Sequence, residues 1–196
     1  MTMIFVLLAL VVVLALWGAA VYNRLRLLRN RVENAWSQID VQLKRRYDLI
    51  PNLVEVARGY LQHEAQTLQA VAQARSQAMQ ASDAVRGHAG EPQVQGSWAA
   101  AEQLLGSSLG RLMVLTEAYP DLKADAQMQS LSEEMASTEN RIGFARQSYN
   151  DEVMAFNDKA SQFPDVLWAR WLGFAHMDML QSTASAQERQ APQVRF

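Results

Sequence analysis

A chain of 196 residues, 49% hydrophobic and 19% charged, is long enough to bury one sizeable core and to carry an extra segment. A formal net charge of −2 excludes a general nucleic-acid binder, which needs a basic face to displace condensed counterions. Cysteine is absent, which excludes disulfides, thiolate nucleophiles and sulfur-ligated metals and leaves the redox compartment open.

Met3 to Val21 (MIFVLLALVVVLALWGAAV) carries no charge. At 1.5 Å per residue it reaches ~30 Å, the thickness of a bilayer's hydrocarbon core. A cleaved signal peptide is the rival reading, but it wants a basic n-region and a shorter apolar stretch. No Lys or Arg precedes this run, and cleavage options such as Gly18-Ala19-Ala20 are weak. An uncleaved anchor is therefore expected. Arg24, Arg26, Arg29 and Arg31 follow before the first acid, Glu33. Basic flanks stay on the cytoplasmic side, so the N-terminus should face out and residues 24–196 the cytoplasm. Trp17 and Tyr22 suit an interfacial aromatic belt, and the arginines suit anionic headgroups at about 1 kcal/mol each.

From Val32 the apolar positions Val32, Trp36, Ile39, Leu43, Tyr47, Ile50, Val54, Ala57 and Leu61 alternate steps of four and three, a seam of helical period. It thins through Leu68, Ala72 and Met79, where Ala and Gln dominate and small residues let helices approach closely. Pro51 interrupts the seam. It lacks an N–H and clashes with the carbonyl four residues back. Asp48 can cap a new helix with Pro51 in its first turn. Phase continuity across Pro51 favours a kink; the lack of a partner long enough for an unbroken helix favours a turn. The turn is the reading preferred.

Arg86 to Gln93 (RGHAGEPQ) is a loop by its Gly, Pro and polar content. A third helix is expected from about Val94 to Glu117, with Gly106 and Gly110 marking a close crossing. Tyr119-Pro120-Asp121 is the next turn, with Asp121 as cap. The fourth helix, from about Leu122 to Gln162, has its seam at Leu131, Met135, Thr138, Ile142, Ala145, Tyr149, Val153, Phe156, Ala160 and Phe163. Phe163-Pro164 ends it, and Asp165 can cap a short amphipathic segment (DVLWARWLGFAHMDML). From Gln181 the chain is Gln-, Ser- and Ala-rich and is expected to be disordered. The organisation expected is an anchor over 1–23, a helical bundle over 24–180 and a tail over 181–196.

Certain stretches together resemble the LemA family: Tyr22-Asn23, the run NAWSQIDVQLKRRYDLIPNLVEVARGYLQHE from Asn34 to Glu64, Tyr119-Pro120-Asp121-Leu122-Lys123, ENRIGFARQSYNDEV from Glu139 to Val153, Phe156-Asn157, Phe163-Pro164 and Gly173-Phe174. The order, the spacing and the anchor in front all agree. The resemblance implies an all-α, bacterial single-pass inner-membrane protein with an up-and-down four-helix bundle. It brings no catalytic residues with it. One branch of that family is linked to magnetosome formation, a hint of membrane shaping.

Candidate chemistry is thin. His63, His88 and His176 lie on different elements, and His63-Glu64 is not followed by the second histidine of an HExxH site. Glu133, Glu134 and Glu139 lack the Glu-x-x-His pairs of di-metal bundles and read as a solvated acidic face. No GxSxG elbow, GxGxxG or phosphate loop occurs. No metal or cofactor is expected.

Two constellations remain. Arg146, Tyr149 and Asn150 share one face of the fourth helix, and Asn34, Gln38 and Asp48 lie on or beside the first seam. The reading preferred is a structural polar network in which Arg146 pairs with an acid such as Asp40 or Asp48; the alternative is a groove for a partner. Trp168, Trp171, Leu172 and Phe174 form the second set, either at the bilayer surface or as a lid over the bundle end. The function expected is a membrane-anchored scaffold or assembly protein, not an enzyme. It would form homo-oligomers or recruit other membrane proteins, contact membrane lipid and bind no nucleic acid. The alternative is a regulatory docking subunit for a membrane enzyme or transporter.

Overall fold

The computed structural model describes residues 1–85 and 92–180, and no strand occurs among them. The helices are α1 (Thr2–Tyr60), α2 (Ala65–Val85), α3 (Pro92–Ala118), α4 (Pro120–Ala124), α5 (Ala126–Ser161) and α6 (Asp165–Trp171). The expected loop over 86–93 falls mostly outside the described residues, as does the tail from Gln181; Pro92 already opens α3. Two compact units result, Met1–Trp36 with Ser148–Met179, and Ser37–Gln147 with Leu180.

The second unit is the helical bundle. Ile39, Leu43, Tyr47, Ile50, Val54, Ala57 and Leu61 are all buried, as the seam requires. On α2 the buried positions are Leu68, Val71, Ala74, Ala78, Ser82 and Val85. Ala72 is exposed and Met79 only half-buried, so the seam expected there shifts after Leu68. The Tyr47 hydroxyl reaches the carbonyl of Ala78 at 3.4 Å, an approach that a small residue on α2 permits. α3 supplies Trp98, Leu105, Leu109 and Leu112, and α5 supplies Met128 and Ile142. Tyr60 meets Asp125, and Arg46 meets Glu139, which runs α1 and α5 antiparallel.

Pro51 does not turn the chain. α1 continues through it to Tyr60, and the reversal comes at residues 61–64. Without an N–H at position 51, the carbonyl of Tyr47 loses its helical donor. Arg75 Nε of α2 donates to that carbonyl at 2.7 Å. A bond from a charged donor replaces the missing backbone one, so the helix carries its proline without an orphaned acceptor.

The fourth helix is also divided differently from the expectation. Tyr119 precedes α4 with no side-chain cap, and Pro120 and Asp121 sit in its first turn. The cap is Asp125, whose Oδ1 accepts from the N–H groups of Gln127 at 2.8 Å and Met128 at 2.9 Å and starts α5. A Cβ at Gly106 would lie 4.0 Å from the Arg46 guanidinium, and one at Gly110 would meet nothing. The close crossing expected at these glycines is absent at both.

The first unit joins the start of α1 to the end of α5. Every residue from Met1 to Leu16 is exposed, on a helix long and apolar enough to cross a membrane. Below it Val21, Leu25, Leu28, Val32 and Trp36 are buried, with Tyr149, Val153 and Phe156 of α5. Trp36 meets Tyr149 edge-on at 5.7 Å between ring centroids, a favourable aromatic geometry.

Candidate functional site

The polar centre of the bundle is built around an arginine that seam reasoning passed over. Arg46 is 5% exposed and Glu102 6%. Arg46 Nη1 donates to Glu102 Oε2 at 3.0 Å, and its Nε lies 3.3 Å from Glu139 Oε2. The Tyr47 hydroxyl donates to the other oxygen of Glu102. Burial, and next the negative charge of Glu102, push the Tyr47 hydroxyl well above the usual tyrosine range, with Ser82 and Arg46 acting the other way. The carboxylate of Glu102 thus has charge-assisted donors on both oxygens. Such a pair adds little net stability over an apolar one, and it ties α1 to α3 through Arg46 and Glu102. Glu102 occupies a seam position between Trp98 and Leu105. A charge on that apolar stripe was the available signal.

The residues expected to form a polar network are mostly placed elsewhere. Asn34, Gln38 and Asp48 are exposed, and Asp40 and Asn150 half-buried. Arg146 is half-buried; its guanidinium carbon stacks 5.1 Å from the Trp98 ring centroid, and its buried Nε has no hydrogen-bond partner. This is a cation–π contact with Trp98. Tyr149 is buried in the other unit, its pKa pushed up to about 12 by burial first and Asp178 second. His63 and His176 are exposed, and His88 lies outside the described residues. Glu133, Glu134 and Glu139 are exposed on α5, Glu139 reaching inward to Arg46.

The aromatic segment divides in two. α6 starts after a cis Phe163–Pro164 peptide. Pro164 precedes it without a side-chain cap, and Asp165, expected as the cap, instead pairs with Lys159 at 2.5 Å. The helix ends in a Schellman arrangement: Phe174 N–H bonds the Ala169 carbonyl at 2.9 Å and Gly173 N–H bonds Arg170 at 3.2 Å. Gly173 has φ +76°, a conformation that favours glycine. That turn sends Phe174 inward, 5.9 Å from Tyr22 and 6.2 Å from Phe156. Buried Asn157 then holds Met177 twice, donating to its carbonyl at 2.8 Å and accepting from its N–H at 3.0 Å. Trp168 and Trp171 stay together, 5.8 Å apart and edge-on. Trp168 lies on Gly18, where a Cβ would come within 2.9 Å of its ring. Phe163, expected on the buried seam, is exposed because α5 has ended at Ser161. Arg24, Arg26, Arg29 and Arg31 are all exposed, Arg29 pairing with Glu33 at 3.4 Å.

Fold and site define an all-helical bundle, centred on a buried arginine–carboxylate pair, whose first helix begins as a long apolar stretch. The LemA family model matches residues 35–196, and the chain belongs to the LemA family. A comparison with curated proteins finds none that matches.

Proposed function

We infer that the protein is a membrane-anchored scaffold whose bundle self-associates through its α1/α5 face and organises the membrane that holds it. The observation that carries this reading is a pair of exposed apolar side chains, Val41 at 57% and Phe144 at 72%. The antiparallel register set by Arg46–Glu139 and Tyr60–Asp125 brings these two to the same level of α1 and α5. Beside Phe144, a Cβ at Gly143 would meet nothing within 4 Å, so another helix has room to approach the backbone there. An aromatic with such surroundings is the usual anchor of an interface, and two copies meeting about a twofold would each supply one. Arg46, Glu102 and Tyr47 engage one another inside the bundle, which supports a binding role over a catalytic one.

On this reading Met3 to Val21 is an uncleaved anchor. The exposed Arg24, Arg26, Arg29 and Arg31 keep the bundle in the cytoplasm, and a reporter after Phe196 should behave as cytoplasmic. Sedimentation of the full chain in detergent over a range of concentrations tests the scaffold. Wild-type protein should grow in size with concentration, and Phe144→Asp should stay small with unchanged helical content. A wild-type protein that stays monomeric at every concentration overturns self-association and leaves the docking-subunit reading.

A further inference from the structure

We propose that α6 is an interfacial helix that lies in the surface of the same bilayer the N-terminal helix crosses, with Phe163, Leu167 and Trp171 inserted among the acyl chains. The proposal rests on the anchor reading above and goes beyond it by naming a second membrane contact.

Leu167 and Trp171 are four residues apart and share one face of α6. They are 62% and 77% exposed, and Phe163, just before the helix, is 81% exposed. The opposite face is held down: Asp165 and Ala169 are buried, and Trp168 is half-buried against Gly18. The outward residues are thus not a frayed end. A packed inner face, a Schellman stop at Gly173 and the Asn157 clamp on Met177 fix which way they point.

The place of the contact identifies the occupant. Gly18 belongs to the uncharged stretch that ends before Arg24, so a ring seated on it is level with the last turns of the span. A segment at that height meets the boundary of headgroups and acyl chains, where Trp is favoured and amphipathic helices lie ~5–10 Å deep. Arg170, also exposed on α6, and Arg24 and Arg26 at the foot of the span can then reach lipid phosphates. The exposed face of α6 adjoins a helix whose surroundings, on the anchor reading, are lipid.

The chain has no cysteine, so a single introduced one carries a unique spin label. The full protein, in vesicles of phosphatidylcholine and phosphatidylglycerol, is labelled in turn at Leu167→Cys, Trp171→Cys, Val11→Cys and Ser130→Cys. Collision with oxygen reports hydrocarbon, and collision with a water-soluble nickel chelate reports the aqueous phase. Labels at 167 and 171 should favour oxygen several-fold, as at 11, whereas the label at 130 should favour nickel. If 167 and 171 behave like 130 while 11 reports hydrocarbon, the interfacial helix is wrong and the anchor stands. If both reagents are excluded at 167 and 171, a protein surface covers them and the proposal is again wrong. An aqueous signal at 11 removes the anchor itself, and the proposal with it.

Discussion

Changing Arg75 to Met removes the donor that serves the Tyr47 carbonyl at 2.7 Å. Tyr47 is 4% exposed, so no water readily takes the place of the guanidinium. Hydrogen bonds to charged groups are worth about 1.5–3 kcal/mol, and a buried acceptor left unpaired costs a similar amount. Arg75→Met should therefore lose ~2–3 kcal/mol, a fall of roughly 1 M or more in urea midpoint at a slope of about 2 kcal/mol per M. Pro51 decides whether that loss is specific. Pro51→Ala restores the N–H that a helix aims at Tyr47, and on its own should stabilise by up to ~3 kcal/mol. In that background the carbonyl keeps a partner, and Arg75→Met should cost about 1 kcal/mol or less. The double-mutant cycle, run by urea denaturation of the full chain in detergent, should give a coupling of ~1–2 kcal/mol. Equal cost of Arg75→Met in both backgrounds would refute the idea that Arg75 compensates for the proline.

Glu102→Leu leaves Arg46 with only the exposed Glu139 and should cost about 3–5 kcal/mol, while Arg46→Met with Glu102→Leu recovers most of it; strict additivity in the same denaturation assay would contradict the buried pair. Gly143→Ala, on an exposed helix position with open space around it, should raise stability by ~0.5–1 kcal/mol, read from the urea midpoint. Asn157→Leu removes both bonds to Met177 and should lower local stability by about 2 kcal/mol, a roughly 30-fold faster amide exchange at Met177. Tyr149 titrates at about 12 in the folded chain against an ordinary 10.0, so its contribution is full below pH 10 and is lost as pH rises through 12. Tyr149→Phe should flatten that part of the alkaline stability loss, and an unchanged profile would show the hydroxyl to be solvated.

The seam of α1 was legible residue by residue, because every position from Val32 to Leu61 that the steps of three and four selected is buried. The outcome at Pro51 was not. Its compensation comes from Arg75, distant in sequence, and no local rule anticipates a side chain from another helix. The same limit applies to the polar centre. Arg46 sits beside a seam residue and Glu102 within a seam, and only their meeting in space shows why charges are tolerated there. Arg146 was chosen because it shares a helix face with Tyr149, yet its contact is the ring of Trp98. Asp121 was the cap read from the sequence, and the backbone settles instead on Asp125. Trp168 and Trp171 meet edge-on, whereas Phe174, grouped with them from the sequence, packs against Tyr22 and Phe156. Gly173 reverses the chain direction between the two, which explains why a Gly-Phe pair closes the helix.

Self-association through the proposed α1/α5 face can be read by cross-linking in native membranes. Single cysteines at Phe144→Cys and, as control, at the exposed Gln77 of α2 can be treated with a short bis-maleimide in membranes holding the full chain. Self-association through this face should give a covalent dimer with Phe144→Cys and little with Gln77→Cys. Equal cross-linking at the two sites, or none at Phe144→Cys, would contradict it.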